Sequence, residues 1–197
     1  TERCSPDGRI GTWIYRRIFD FGRRLMDFGI PQWIVLAVAV LRAAELVYAR
    51  HNTKLLLAEG AKEFGSRHYP LFIILHGGWL LALLLGVEGT TEVNIPILGV
   101  FGLLLFGRLW VILTLGPYWT TRIISSTEFP LIRNGPYRFL RHPNYWIVTG
   151  EVFVLPVSFG AWQIAVIFSV LNAALLRWRV QVENEALALR KAEKSSE

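Results

Sequence analysis

An all-α, polytopic integral membrane protein is predicted from three observations. The 197-residue chain is 53% apolar, several apolar runs reach about 20 residues, and the polar and basic segments lie between those runs. Soluble domains carry an apolar share of roughly 45–50%. A helix rising about 1.5 Å per residue needs about 20 apolar residues to cross about 30 Å of hydrocarbon. A single water-soluble core is therefore excluded. The net charge is +6, but the basic residues are scattered rather than gathered on one strip, so membrane lipids and not nucleic acid are the expected partner. Cys4 is the sole cysteine, which excludes an internal disulfide and Cys-rich zinc sites. The four histidines are separated, without a His-Glu-x-x-His spacing, so no metal is expected.

The elements follow in order. Residues 1–29 form an N-terminal segment in which Ile10, Ile14, Ile18, Phe21, Leu25 and Phe28 fall at helical spacing among Arg16, Arg23 and Arg24. That pattern, with Trp13, predicts an amphipathic helix lying in the headgroup layer. The remaining chain, 30–197, is read as one membrane domain. Its first span is Ile30–Ala49, where Arg42 and Glu45 stand three apart and offset each other. Tyr69–Val87 is the second span, the acidic turn Glu88–Asn94 follows, and the third runs from Ile95 to Leu115 with Arg108 inside it. Gly116–Asn144 is too polar for membrane. Tyr145–Trp178 is too long for one helix and carries Pro156, Ser158 and Gly160 at its middle, which predicts a helical hairpin. Its first arm, about 13 residues, is short for a crossing. Arg177–Arg190 continues the second arm out of the membrane, and Lys191–Glu197 is expected to fray. About five transmembrane helices result.

With five spans, one side collects the basic residues of 50–67, 122–141 and 177–194, and by the positive-inside rule this side is cytoplasmic. The arginines of the N-terminal segment vote the other way. On this topology the turn ending at Asn144 and the extension beginning at Arg177 emerge together on the cytoplasmic face.

The turn itself reads "NGPYRFLRHPNYW", Asn134–Trp146. Pro136 and Pro143 stiffen it and remove two backbone donors, while Tyr137 and Tyr145 offer rings that can stack on a base or face a cation. Arg179 and Glu183 are four apart, on one helical face just past the membrane exit. Each feature also has a plain structural reading. His142 can cap a turn, Arg179 and Glu183 can form an exposed pair worth ~0.3–0.5 kcal/mol, and Arg42, Glu45, Arg108 and Glu151 can pair to fix helix register. Close helix packing explains Gly77 and Gly78 beside His76 as well as an acceptor tunnel lined by His68 and His76 does.

Taken together, "GPYRFLRHPNY", an apolar hairpin and then "RWRVQVENEAL" resemble the isoprenylcysteine carboxyl methyltransferase family, over about Phe129–Leu187. The run "EGAKEFGSRHYPLFIILH", Glu59–His76, further resembles bacterial members that methylate oxygen on long-chain polyketide lipids such as alkylpyrones. The resemblance implies S-adenosylmethionine as cofactor, bound by a core spanning 116–190. It places Leu131, Ile132 and Tyr137 around the adenosine and has His142, Pro143, Asn144 and Tyr145 lining the cofactor. By the same resemblance Glu183 would contact the cofactor's polar end and Arg179 would face the acceptor. Two positions depart from the family pattern: Ile147, where many members have Gly, and Asn184, where many have a second Glu.

The implied chemistry suits the residues. A charged, water-soluble methyl donor and a lipid acceptor meet only in a cavity open to both phases, and irregular backbone at membrane depth is tolerated where it lines one. Methyl transfer relies on positioning and a shaped field. A carboxylate acceptor, such as that of a prenylated cysteine, needs only to be held by Arg179. An enol or phenol must also lose a proton, with Glu183 or His142 as the candidate base. His76 and Glu151 are the further substrate-binding candidates. Two competing readings are an NADPH-dependent sterol-type reductase, which also carries "RHPNY", and a non-enzymatic transporter or scaffold, favoured by the charges within spans.

Overall fold

Among the described residues, five helices carry the chain back and forth between two differently built ends. The computed structural model describes residues 28–65, 69–126, 129–130 and 132–195; the predicted amphipathic helix lies outside them, Phe28 excepted. Helices α1 (Ile30–Ala58), α2 (Tyr69–Gly86), α3 (Ile95–Leu115), α4 (Pro143–Ser158) and α5 (Trp162–Ser195) are joined by strands β1 (Lys62–Phe64) and β2 (Ile123–Ser125) and by 3-10 turns at Gly116–Tyr118 and Gly135–Arg138. Helices α1, α2, α3 with its following turn, and α5 are long and apolar enough to cross a membrane. Helix α4, at 16 residues or roughly 24 Å, is the short arm of the predicted hairpin.

The helix starts are written locally. Pro31, Pro96 and Pro143 sit in the first turns of α1, α3 and α4, where a missing N–H costs nothing. Asn94 caps α3 by accepting from Ile97 N at 3.1 Å. Gln32 accepts from Gly29 N at 3.1 Å and donates to Val87 O at 2.7 Å. With Asn94 N donating to Ser158 O at 2.8 Å, these bonds close one end of the bundle. The opposite end, made of the described residues of 58–69 and 116–143 and of the C-terminal half of α5, holds the irregular backbone.

Between the ends, Val35, Val38, Trp79, Leu83, Phe101, Val152 and Leu155 form the main core. The outer surface is no less apolar, for Leu103, Phe106 and Leu113 are about 70% exposed. An apolar exterior around a packed core is what lipid as solvent permits. The α3–α4 contact is the tightest. A Cβ on Gly150 would lie 2.9 Å from Leu104, and one on Gly107 3.4 Å from Ile147. Gly107 thus provides the notch that receives Ile147, the side chain that departs from the family pattern.

The structure departs from the sequence reading in three places. Helix α1 runs nine residues past Ala49, because residues 50–58 contain no Pro or Gly and Asn52, Thr53 and Leu56 are buried. Asn52 Nδ2 donates to Gly116 O at 3.2 Å and Trp119 O at 2.9 Å, tying α1 to the turn after α3. Helix α5 continues to Ser195 where fraying from Lys191 is expected; its Ala, Leu, Glu, Lys and Arg residues are strong helix formers. The polar connection also contributes to a small antiparallel sheet that pairs Lys62 with Ser125, Glu63 with Ile124 and Phe64 with Ile123. Strands of three residues carry no period to read; tertiary packing brings them together.

Candidate functional site

A cleft of about 250 Å³ opens at the irregular end. Its walls come from Leu115 at the end of α3, the Tyr118–Thr120 turn, Arg122 and β2, Tyr137, the segment around His142 to Tyr145, and Arg179 and Glu183 of α5. Two Gly-Pro-Tyr turns frame it, at 116–118 and 135–137. Both fold as 3-10 turns, with Gly116 at φ 51° and Gly135 at φ 54°, a region that glycine enters without strain. Gly135 is required on a second ground: a Cβ there would fall 2.6 Å from Thr114 Oγ1.

Tyr145 is the hub. Its hydroxyl donates to Glu183 Oε2 at 2.5 Å and accepts from Arg179 Nε at 2.8 Å. Its ring stacks on His142, centroids 5.2 Å apart at 12°. His142 Nδ1 lies 3.6 Å from Glu183 Oε1. The expected Arg179 and Glu183 partnership is therefore bridged by a tyrosine, and among the described residues the two form no direct pair. Arg141 Nη2 donates to Asn184 Oδ1 at 3.1 Å, so the second departure from the family pattern ties the turn to α5. Tyr137 sits beside them. Burial, and to a lesser degree the Glu183 carboxylate, push its hydroxyl up to about 12.

That shift has a sign. The unfolded chain releases the Tyr137 proton near pH 10 while the folded one holds it to about 12. Stability carried by this group is complete below pH 10 and lost as pH rises through about 12. Thermal unfolding midpoints between pH 9 and 12 should fall more steeply for the parent chain than for Tyr137→Phe; parallel curves would contradict the assignment.

One layer away from the cleft, toward the bundle interior, lies a ring of four charges. Arg42 Nη1 bonds Glu45 at 2.7 Å and its Nη2 bonds Glu151 Oε1 at 2.8 Å. Arg108 Nε bonds Glu45 at 2.8 Å and its Nη1 bonds Glu151 Oε2 at 3.0 Å. Helices α1, α3 and α4 thus share two cations and two anions with no net charge. The Arg108 guanidinium also stands over the Trp119 ring, 6.0 Å from its centroid, and Trp119 lines the cleft. The pairing reading of these charges extends to all four.

Of the sequence-predicted residues, the structure brings Tyr137, His142, Asn144, Tyr145, Arg179 and Glu183 to one cleft. Pro143 starts α4 and is buried, and Ile132 is outside the lining; Leu131 and His68 fall outside the described residues. Glu151 is taken up on both oxygens by the ring rather than by the cleft. His76 Nδ1, the protonated nitrogen because a carbonyl can only accept, donates to Phe72 O at 2.8 Å within α2. Sequence reasoning missed Tyr118, Trp119, Arg122 and β2. The recurrence of Gly-Pro-Tyr is the signal that could have found the first two. Arg122, bonded to Glu63 at 2.9 Å and stacked 4.7 Å over Tyr69, left no such trace.

The isoprenylcysteine carboxyl methyltransferase (ICMT) family matches residues 97–189, which take in most of α3, the framing turns, α4 and α5 as far as residue 189. The chain is 34% identical over 160 residues to the uncharacterized protein YpbQ of Bacillus subtilis strain 168, covering 79% of this chain and 95% of the relative. It is 25% identical over 159 residues to an uncharacterized protein of Haemophilus influenzae, covering 77% and 91%. No solved structure matches. With its apolar helices, its cleft at the turn-rich end and these matches, the chain belongs to the isoprenylcysteine carboxyl methyltransferase family of integral membrane methyltransferases.

Proposed function

We propose that this protein transfers a methyl group from S-adenosylmethionine to an oxygen of a lipophilic acceptor, at the cytoplasmic end of the bundle. The observation that carries the reading is the Tyr145 hub, which joins Arg179 of α5, Glu183 of α5 and the His142 turn in one cleft. The donor set fits the cofactor: the rings of Tyr118, Tyr137 and Tyr145 and the carboxylate of Glu183 line the cleft, and π faces and a carboxylate suit an adenine, a sulfonium and an ammonium. When bound, S-adenosylmethionine supplies an activated methyl group to an in-line displacement.

The chain's own residues position and polarise. Tyr137, His142, Asn144 and Tyr145 would hold the cofactor, with Glu183 on its cationic end. The hydrogen bond from Tyr145 restrains the Glu183 carboxylate. Arg179, held by Tyr145, would present its guanidinium to the acceptor oxygen and stabilise negative charge there. For an acceptor that must lose a proton, His142 and Glu183 stand together as the base and its neighbour. The placement of the cleft on the basic side of the bundle supports a cytoplasmic cofactor supply.

Calorimetry on the purified chain in detergent should show binding of S-adenosylmethionine and none of NADPH. Labelled methyl transfer onto a membrane lipid extract should yield base-stable or base-labile product, distinguishing an ether from an ester. Binding of NADPH in place of S-adenosylmethionine would overturn the reading.

A further inference from the structure

Arg179 is held differently from Arg42, Arg108 and Arg122. Arg42, Arg108 and Arg122 each meet a carboxylate at 3.0 Å or less. Among the described residues Arg179 makes no ion pair. Its guanidinium carbon lies instead 5.4 Å from the centroid of the Phe72 ring, on α2, and 5.7 Å from that of Tyr145, on α4, with Nε spent on the Tyr145 hydroxyl. Cations within about 6 Å of a ring centroid are attracted by the π face. A π face holds a cation without neutralising it, whereas a carboxylate would cancel its charge and compete with an anionic ligand. The Phe72 backbone is fixed in turn, because its carbonyl accepts from His76 Nδ1 at 2.8 Å.

We propose that Phe72 is a positioning residue: with Tyr145 it clamps the Arg179 guanidinium between two aromatic rings, keeping its full charge available for an acceptor whose reacting group is an anionic oxygen. This rests on the methyltransferase reading only for the word acceptor; the clamp itself is a binding property and is tested as one. It also assigns α2 a part in the site although no α2 residue lines the cleft.

The test is equilibrium binding of dodecanoate and of dodecan-1-ol to the full chain in neutral detergent, for the parent and for Phe72→Leu, Phe72→Met, Phe72→Tyr and Phe72→Trp. The parent should prefer dodecanoate. Phe72→Leu and Phe72→Met should weaken dodecanoate by about tenfold, with dodecanol and S-adenosylmethionine affinities unchanged, and the Tyr and Trp variants should retain it. In turnover with dodecanoate as trial acceptor, the loss should fall on kcat/KM for the acceptor and not on KM for the cofactor. An affinity order that follows side-chain volume instead of aromaticity overturns the clamp, as does equal binding of dodecanoate and dodecanol by the parent. Failure of S-adenosylmethionine to bind would defeat the methyltransferase reading while leaving the dodecanoate series interpretable.

Discussion

Arg179→Ala is expected to lower methyl transfer by about 10²-fold or more while leaving S-adenosylmethionine affinity nearly unchanged. The magnitude is that of removing one preorganised donor aimed at developing charge. The side chain reaches the site through Tyr145 and Phe72, whereas the cofactor is assigned to the turn residues and Glu183. Loss should therefore appear in kcat and in kcat/KM for the acceptor. Arg179→Lys keeps a charge but not the planar fork that lies between two rings and bonds Tyr145 through Nε, so it should recover only part of the activity. Rates from labelled methyl transfer, paired with calorimetric cofactor affinity, decide the matter. An Arg179→Ala protein that turns over normally, or that loses cofactor binding outright, would refute the assigned role.

Glu151→Ala is expected to be the most destabilising single substitution in the bundle, on the order of 3–5 kcal/mol. Its side chain is 4% exposed and both oxygens are bonded, one to Arg42 and one to Arg108. Removing it leaves two guanidinium groups facing each other with one carboxylate between them, at a depth where an uncompensated charge costs about 2.5–3.5 kcal/mol on insertion scales. A charge-balanced double substitution, Glu45→Met with Arg108→Met, leaves the Arg42 to Glu151 bond intact and should cost less than Glu151→Ala alone. Thermal unfolding in detergent gives both numbers. A double variant less stable than the single would show that packing, not charge balance, sets the energy of the ring. Because Arg108 also stands over Trp119, Glu151→Ala should weaken cofactor affinity even where the protein remains folded.

Much of the fold was legible because membrane helices announce themselves. Lipid requires each span to satisfy its own backbone, so apolar length alone marks it, and the third span was read at its observed bounds, Ile95–Leu115. The hairpin was legible from Pro156 to Gly160, where the structure turns between Ser158 and Trp162. The candidate site was legible where local constraint and composition coincide, in the prolines, tyrosines and histidine of residues 134–146. Trp119, Arg122 and β2 were not, since their place in the cleft depends on Asn52 of α1 and Glu63 of β1, far away in the chain.

By itself the sequence determined the class of solvent, the order of the described helices, the family, and six of the residues that meet in the cleft, because hydropathy, helix-start prolines and i,i+4 spacing are local properties. Only the tertiary structure decided how the charges divide. Arg42, Glu45, Arg108 and Glu151 close on one another into a neutral ring, and Arg179 is left to aromatic faces. The sequence set Arg179 and Glu183 past the membrane exit and the other four charges within the spans, but no spacing separates a cation that must be neutralised from one kept for a ligand. That distinction is one of distance between side chains on different helices, and it exists only once the helices have packed.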